Sequence, residues 1–236
     1  MKKAFLIFGL IVFSQMFSQK KYHFDYALAV KESYKLKDLK SEFIFLVNSE
    51  HNNYRLYAHS KINDLTNFTL LFIDDNGVSF NGNMSKSNFD KVETIAKTCN
   101  EVFRFSNPHI KRSKNYSFVN YQDTIINNTA YYHYAIKCNK SLKFQKKKKI
   151  YTVHYIVDKS DSNFLPFTYS SLIYEIWKTS VKIPNGFPKL VYFVNSSGEE
   201  TGKMEFTILK VDKYATIPEE CDFTLKDVRN NLYKIL

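Results

Sequence analysis

The sequence predicts a mainly β protein, an antiparallel meander forming a curved sheet or half-barrel with two or three helices. Three observations lead there. In Phe68–Phe80, FTLLFIDDNGVSF, aromatic and branched runs flank Asp75-Asn76-Gly77, whose Asn-Gly pair tolerates the positive φ of a tight hairpin turn. Phe and Tyr together number 38 (21 and 17) against six Gly and five Pro, a load that suits strands and a filled core rather than disorder. Short apolar runs alternate with polar turns, without a constant repeat or a Pro/Gly/Ser-rich linker, so one domain is expected.

The chain opens on a secretion signal at residues 1–18. Lys2 and Lys3 form the positive region, Ala4 to Phe13 the apolar one, and Ser14 and Ser18 are the small residues for cleavage. The apolar run falls short of the roughly 20 residues that span a bilayer. Cleavage after Ser18 is favoured over Ser14, and no cysteine stands nearby to make a lipobox. Residues 19–236 then form a single exported β-rich domain, destined for the periplasm, the outer membrane's surroundings or the exterior.

Phe24 to Leu36 fits helix or strand, and its strand-rich sequel favours strand. Phe43–Val47 and Tyr54–Ala58 make a hairpin across Ser49-Glu50-His51-Asn52. In the next hairpin Phe68, Leu70 and Phe72 point to one side and Leu71 and Ile73 to the other, so both faces should be covered. Ser85–Lys97 changes period: Phe89, Val92 and Ile95 recur at helical spacing, with Ser87 or Asn88 as the cap. It leads into the strand-like VFRF at Val102. Tyr116–Tyr121 and Ala130–Cys138 flank a turn at Ile126-Asn127-Asn128, and Ile150–Val157 forms a long strand closed by Ser160–Asn163. Ser170–Lys178 suits a short helix or an edge strand. After a turn at Asn185-Gly186, Leu190–Val194 pairs with Lys203–Val211 across Asn195–Gly198. Leu225–Leu236 suits a terminal helix. The expected total is nine to eleven strands.

The net charge of +11 directs attention to anionic partners. Part of it is local: Lys140, Lys143 and Lys146, Lys147, Lys148 and Lys149 crowd one connection. That connection reads as a solvated hairpin tip or as a contact for anionic lipid head groups. Nucleic acid ranks low for an exported chain. Three cysteines leave one disulfide and one free thiol, with Cys99 and Cys138 a candidate pair that spacing does not settle.

The search for chemistry yields no catalytic residue, no metal site and no cofactor. Gly77–Gly82 has one residue too many for a nucleophile elbow and lies in a hairpin. Asp74-Asp75-Asn76 and Asp158, Asp161, Asn163 lack the downstream bidentate Glu of a calcium loop. His133 and His154, in neighbouring strands, face each other as a packed or hydrogen-bonded pair, since two ligands do not make a zinc site. Cys99 or Cys138 beside either histidine has no local support as a nucleophile pair.

Three segments carry a family resemblance: Phe72–Gly77, Tyr121-Gln122-Asp123-Thr124-Ile125, and Thr216-Ile217-Pro218-Glu219-Glu220-Cys221. In these the chain resembles the GLPGLI-like group of exported Bacteroidetes-type proteins. The resemblance implies an antiparallel, barrel-like sheet without an assigned activity. A more distant, architectural likeness is to lipoprotein carriers of the LolA type, whose half-open barrel holds acyl chains. The expectation is a non-enzymatic exported domain that binds a hydrophobic or lipid-like ligand, or an envelope protein, through a concave face. The alternatives are a secreted structural or interaction protein and, third, a hydrolase.

Overall fold

The computed structural model describes residues 19–35, 39–61, 64–180, 182–219 and 221. The secretion signal and the terminal helix expected at Leu225–Leu236 lie outside the described residues. Among the described residues thirteen strands, rather than nine to eleven, form one open, curled sheet. They are β1 (Gln19–Tyr34), β2 (Leu39–Val47), β3 (Tyr54–Lys61), β4 (Asp64–Asp74), β5 (Val78–Ser85), β6 (Thr94–Ala96), β7 (Val102–Arg104), β8 (Tyr116–Asn120), β9 (Thr124–Ile126), β10 (Thr129–Cys138), β11 (Thr152–Asp158), β12 (Pro188–Val194) and β13 (Glu200–Pro218). Among the described residues three α-helices accompany them: α1 (Lys86–Lys91), α2 (Leu142–Lys148) and α3 (Ser171–Thr179).

The order along the sheet is β7-β5-β4-β3-β2-β1-β13-β12-β11-β10-β8, with β9 also on β10. It is two meanders running outward from a central pair, β1 against β13. Every pairing is antiparallel except β6, which lies parallel to β13 with Ile95 opposite Ala215. The outer strands β7 and β8 are short, which limits the unpaired backbone presented at each edge.

Two cores form on opposite faces. On the first, Leu46, Leu56, Leu70, Phe72 and Phe80 pack under Phe89 of α1 and Ile95 of β6. On the second, Leu28, Val30, Phe45, Tyr155 and Phe206 lie beneath a strap, residues 164–180 with 182–187, through Phe167, Ile173, Ile176 and Phe187. Beside it Leu71 and Ile73 pack with Phe105. Alternate residues of β4 thus reach separate cores, as the doubly apolar pattern predicts.

β1 takes part in both cores by a register shift. Between Phe24 and Tyr26 one residue, Asp25, stands opposite two of β13, Val211 and Asp212. Tyr22 and Phe24 pack in the first core, Leu28 and Val30 in the second. A slip of one residue exchanges the faces of every side chain beyond it.

The turns use few special conformations. Gly77 (φ 145°) alone supplies positive φ at the β4–β5 turn, while Asn127 and Asn128 (φ 49° and 62°) form the β9–β10 turn. Gly186 (φ 117°) could not carry a side chain, since a Cβ there would stand 2.8 Å from Val157 Cγ1.

Three expectations are corrected. The helix in Ser85–Lys97 ends at Lys91; its cap is Ser85, whose Oγ accepts from Asn88 N at 3.2 Å, and Ile95 belongs to β6. The lysine-rich connection is not a bare hairpin tip but contains α2, capped by Ser141. The disulfide joins Cys99 to Cys221, not to Cys138, which is a buried free thiol at the end of β10. Placing β6 beside the end of β13 brings Cys99 to Cys221, a long-range proximity that linear spacing does not encode.

Candidate functional site

The main concavity is a groove of about 570 Å³ on the first face of the sheet. Its floor comes from adjacent strands in register: Ala29 of β1 stands between Ile44 of β2 and Thr207 of β13, and Lys31 is opposite Glu42. Ser60, Leu65, Phe68 and Lys86 complete the wall. Further along this face Phe24, Leu56, Phe72 and Phe80 fill the core. Here Ala29, Ser60 and Thr207 are too small to do so, and the face opens. Phe68 is held edge-on by Phe89 of α1, ring centroids 5.1 Å apart, and the Lys86 ammonium stands 5.2 Å from the Phe68 ring centre. Leu65, 71% exposed, overhangs the mouth.

The volume lies within the roughly 300–1,000 Å³ of small-molecule sites. The lining mixes apolar side chains with two lysines and one glutamate, and contains no histidine, cysteine or aspartate among the described residues. The arrangement can bury an apolar chain and leave a polar head at the rim.

The opposite end of the sheet gathers the buried charges. Asp74 accepts from Lys20 Nζ at 3.0 Å, Tyr22 Oη at 2.9 Å, Asn53 Nδ2 at 2.9 Å and Asn76 N at 2.9 Å. Arg55 donates to Asp75 at 2.7 Å and to Ser171 Oγ of α3 at 3.0 Å, all within the fold. Burial, then the Asp74 charge, pushes the Tyr22 phenol far above its ordinary range. The strap is fastened at this end too: Thr168 Oγ1 donates to Asn52 O at 2.6 Å, and Leu165 N to Ser49 O at 2.7 Å. The aspartates considered for calcium therefore serve as hydrogen-bond acceptors of the β4–β5 turn. Asp158 does the same locally, accepting from Ser160 N at 2.9 Å.

His133 and His154 do meet. His133 Nε2 lies 3.1 Å from His154 Nδ1 and 3.1 Å from Tyr192 Oη, with Tyr121 stacked on His133. Burial, reinforced by the neighbouring His133, pushes His154 down to about 4, and burial lowers His133. Both imidazoles are thus neutral at pH 7, a hydrogen-bonded pair on the outward face of β10–β12. Among the described residues no three His, Cys, Asp or Glu side chains cluster to hold a metal ion. Neither imagined thiol–imidazole pair is available: Cys99 is in the disulfide and Cys138 is buried.

The lysines singled out in the sequence do not share a face. Lys146 to Lys148 are consecutive in α2, roughly 100° apart about its axis, and Lys149 follows in a left-handed cap (φ 50°). All four are exposed.

No family model and no curated protein matches this sequence. Several solved structures resemble the fold. MucB of Pseudomonas aeruginosa in complex with MucA is similar over 83% of this chain and 53% of that chain, at 9% identity and TM-score 0.38. A putative outer membrane lipoprotein-sorting protein domain from Vibrio parahaemolyticus is similar over 80% and 85%, at 9% identity and TM-score 0.32. PNGF-II is similar over 86% and 30%, at 13% identity and TM-score 0.40. The chain spans about half the length of the MucB structures it matches. At such identities and scores the likeness carries no function to this chain.

The groove residues were not singled out from sequence. Their signal is weak: Ala27 and Ala29 occupy alternate positions of a strand otherwise carrying large residues on its inward positions.

Proposed function

We propose that this chain is an exported, non-enzymatic binding domain that holds an apolar or amphiphilic, lipid-like ligand in the groove beside Ala29, Ile44 and Phe68. The groove itself carries the reading: a concave, mostly apolar site continuous with a packed core, with charged groups confined to Lys31, Glu42 and Lys86. The N-terminal secretion signal and the resemblance to the exported GLPGLI-like group support export, with the domain beginning at Gln19 or Gln15. Among the described residues no helix is long and apolar enough to cross a membrane.

The test is displacement of a fluorescent apolar probe, alongside native mass spectrometry of protein taken from its own envelope. Wild type should bind the probe and co-purify with a lipid-like molecule. Thr207→Phe, at an exposed groove position, should fill the site and weaken probe binding about tenfold or more. Equal probe binding by wild type and variant would remove the groove as the site. Co-purification with an envelope protein and no small ligand would favour the interaction-protein reading instead.

A further inference from the structure

We propose that α2 is a docking helix that seats the protein on an anionic bilayer, lysines towards lipid phosphates and Leu142 and Phe144 among the head groups. The first observation is how the helix is fixed. Gln145 is buried and its Nε2 donates to Cys138 O at 3.2 Å and Lys140 O at 2.6 Å, while Ile150 N donates to Gln145 O at 2.9 Å. With Gln145 inward, helical geometry turns Lys143 and Lys147 outward. Leu142 with Lys146 then lies on one flank and Phe144 with Lys148 on the other.

The second observation is exposure. Leu142 is 66% exposed, Phe144 42% and Tyr151, just beyond the helix, 39%. Single exposed apolar residues are ordinary. Here three large ones crowd a short segment that also carries six lysines, and a solvated tip accounts for the lysines alone.

The third is charge. No Asp or Glu occurs between Asp123 and Asp158. Among the described residues, no ion pair involves Lys140, Lys143 or Lys146 to Lys149. All six cations are lysines, point charges without the planar fork that arginine presents to a fixed carboxylate. Lysines placed around a helix suit a diffuse anionic surface better than one matching stripe of protein acids, and they attract such a surface within a Debye length.

Position agrees. β10 ends and β11 begins at the end of the sheet where β1 meets the start of β2, and where β3 ends and β4 begins. The groove lies towards that same end, so docking through α2 would turn its end of the sheet towards the bilayer. The proposal does not depend on the groove holding a ligand.

The experiment is vesicle co-sedimentation of the mature protein, with phosphatidylcholine alone and with added phosphatidylglycerol, across a salt series. Wild type should bind only the anionic vesicles at low salt and release as salt rises. Lys143→Glu with Lys147→Glu should weaken binding at least about tenfold. Leu142→Ser with Phe144→Ser should also weaken it several-fold and leave the salt dependence in place. Both pairs retain Gln145, and an unchanged thermal midpoint will show that they fold. Thr207→Phe should bind vesicles as wild type does. Wild type that ignores anionic vesicles overturns the proposal and leaves an acidic protein surface as the occupant. Loss of vesicle binding in Thr207→Phe with none in the α2 variants overturns it too, by moving the contact to the groove.

Discussion

At the end of the sheet where β4 turns into β5, buried charged groups are tied across long stretches of sequence. Asp74 reaches Lys20, Asp75 reaches Arg55, Arg55 reaches Ser171, and Cys99 is bonded to Cys221. At the other end, where α2 joins β10 to β11, the helix itself is held by Gln145, whose side chain reaches carbonyls within seven residues, and large apolar side chains face water. Both ends belong to one sheet. The difference teaches that register and face assignment are secured at the first end, leaving the second free to present a groove and a cationic helix.

Three measurements bear on that contrast. The largest effect should come from the disulfide: Cys99→Ser with Cys221→Ser opens a 122-residue separation, worth up to about 5 kcal/mol by loop entropy. Denaturant unfolding reads it, and a loss below about 1 kcal/mol would mean that the bond constrains little. Next is Arg55→Met, which strands the Asp75 carboxylate in the interior and should cost about 3–5 kcal/mol. Arg55→Met with Asp75→Leu should recover most of that loss. If the double variant is no better than the single one, the pair is not the unit that holds this turn.

The smallest effect concerns the histidines between and at the two ends. Native His154 sits at about 4, and His133 and His109 are also lowered by burial, whereas the unfolded chain takes up these protons near pH 6.5. The unfolded state therefore binds more protons below that pH. Stability from this source is complete above about pH 6.5 and declines as pH falls towards 4. His154→Gln should flatten the slope more than His109→Gln. The reverse ranking in urea melts across that window would shift the pH response to the locked end.

The hairpins were legible because side-chain alternation and turn chemistry are local, so Phe43–Val47 with Tyr54–Ala58, and Phe68–Phe80, needed no tertiary information. The helix at Ser85 was overextended because Val92 and Ile95 continue its spacing while belonging to its end and to a parallel strand. α2 escaped notice because LKFQKKK has no apolar period; its anchor is an amide, Gln145, rather than a hydrophobic stripe. The groove escaped because emptiness at Ala29, Ser60 and Thr207 exists only once β13 has closed against β1 at the edge of the β1–β3 meander. The Arg55–Asp75 pair is not encoded in the Tyr54–Ala58 strand alone, because the acidic partner lies beyond the next strand.

The central pairing of β1 with β13 has a consequence for how the chain matures. Gln19 pairs with Pro218, so β1 finds this partner only after all the strands between them have been made. The β2–β5 meander can form from neighbouring segments as they appear, and so can β10–β12. The seam between the two halves cannot close until both have been delivered. Such high contact order slows folding and leaves strand edges unpaired meanwhile. Until Pro218 arrives, one long edge of β1 is an open template, and a helper that shields it would act there, on the nascent chain, rather than on the finished sheet.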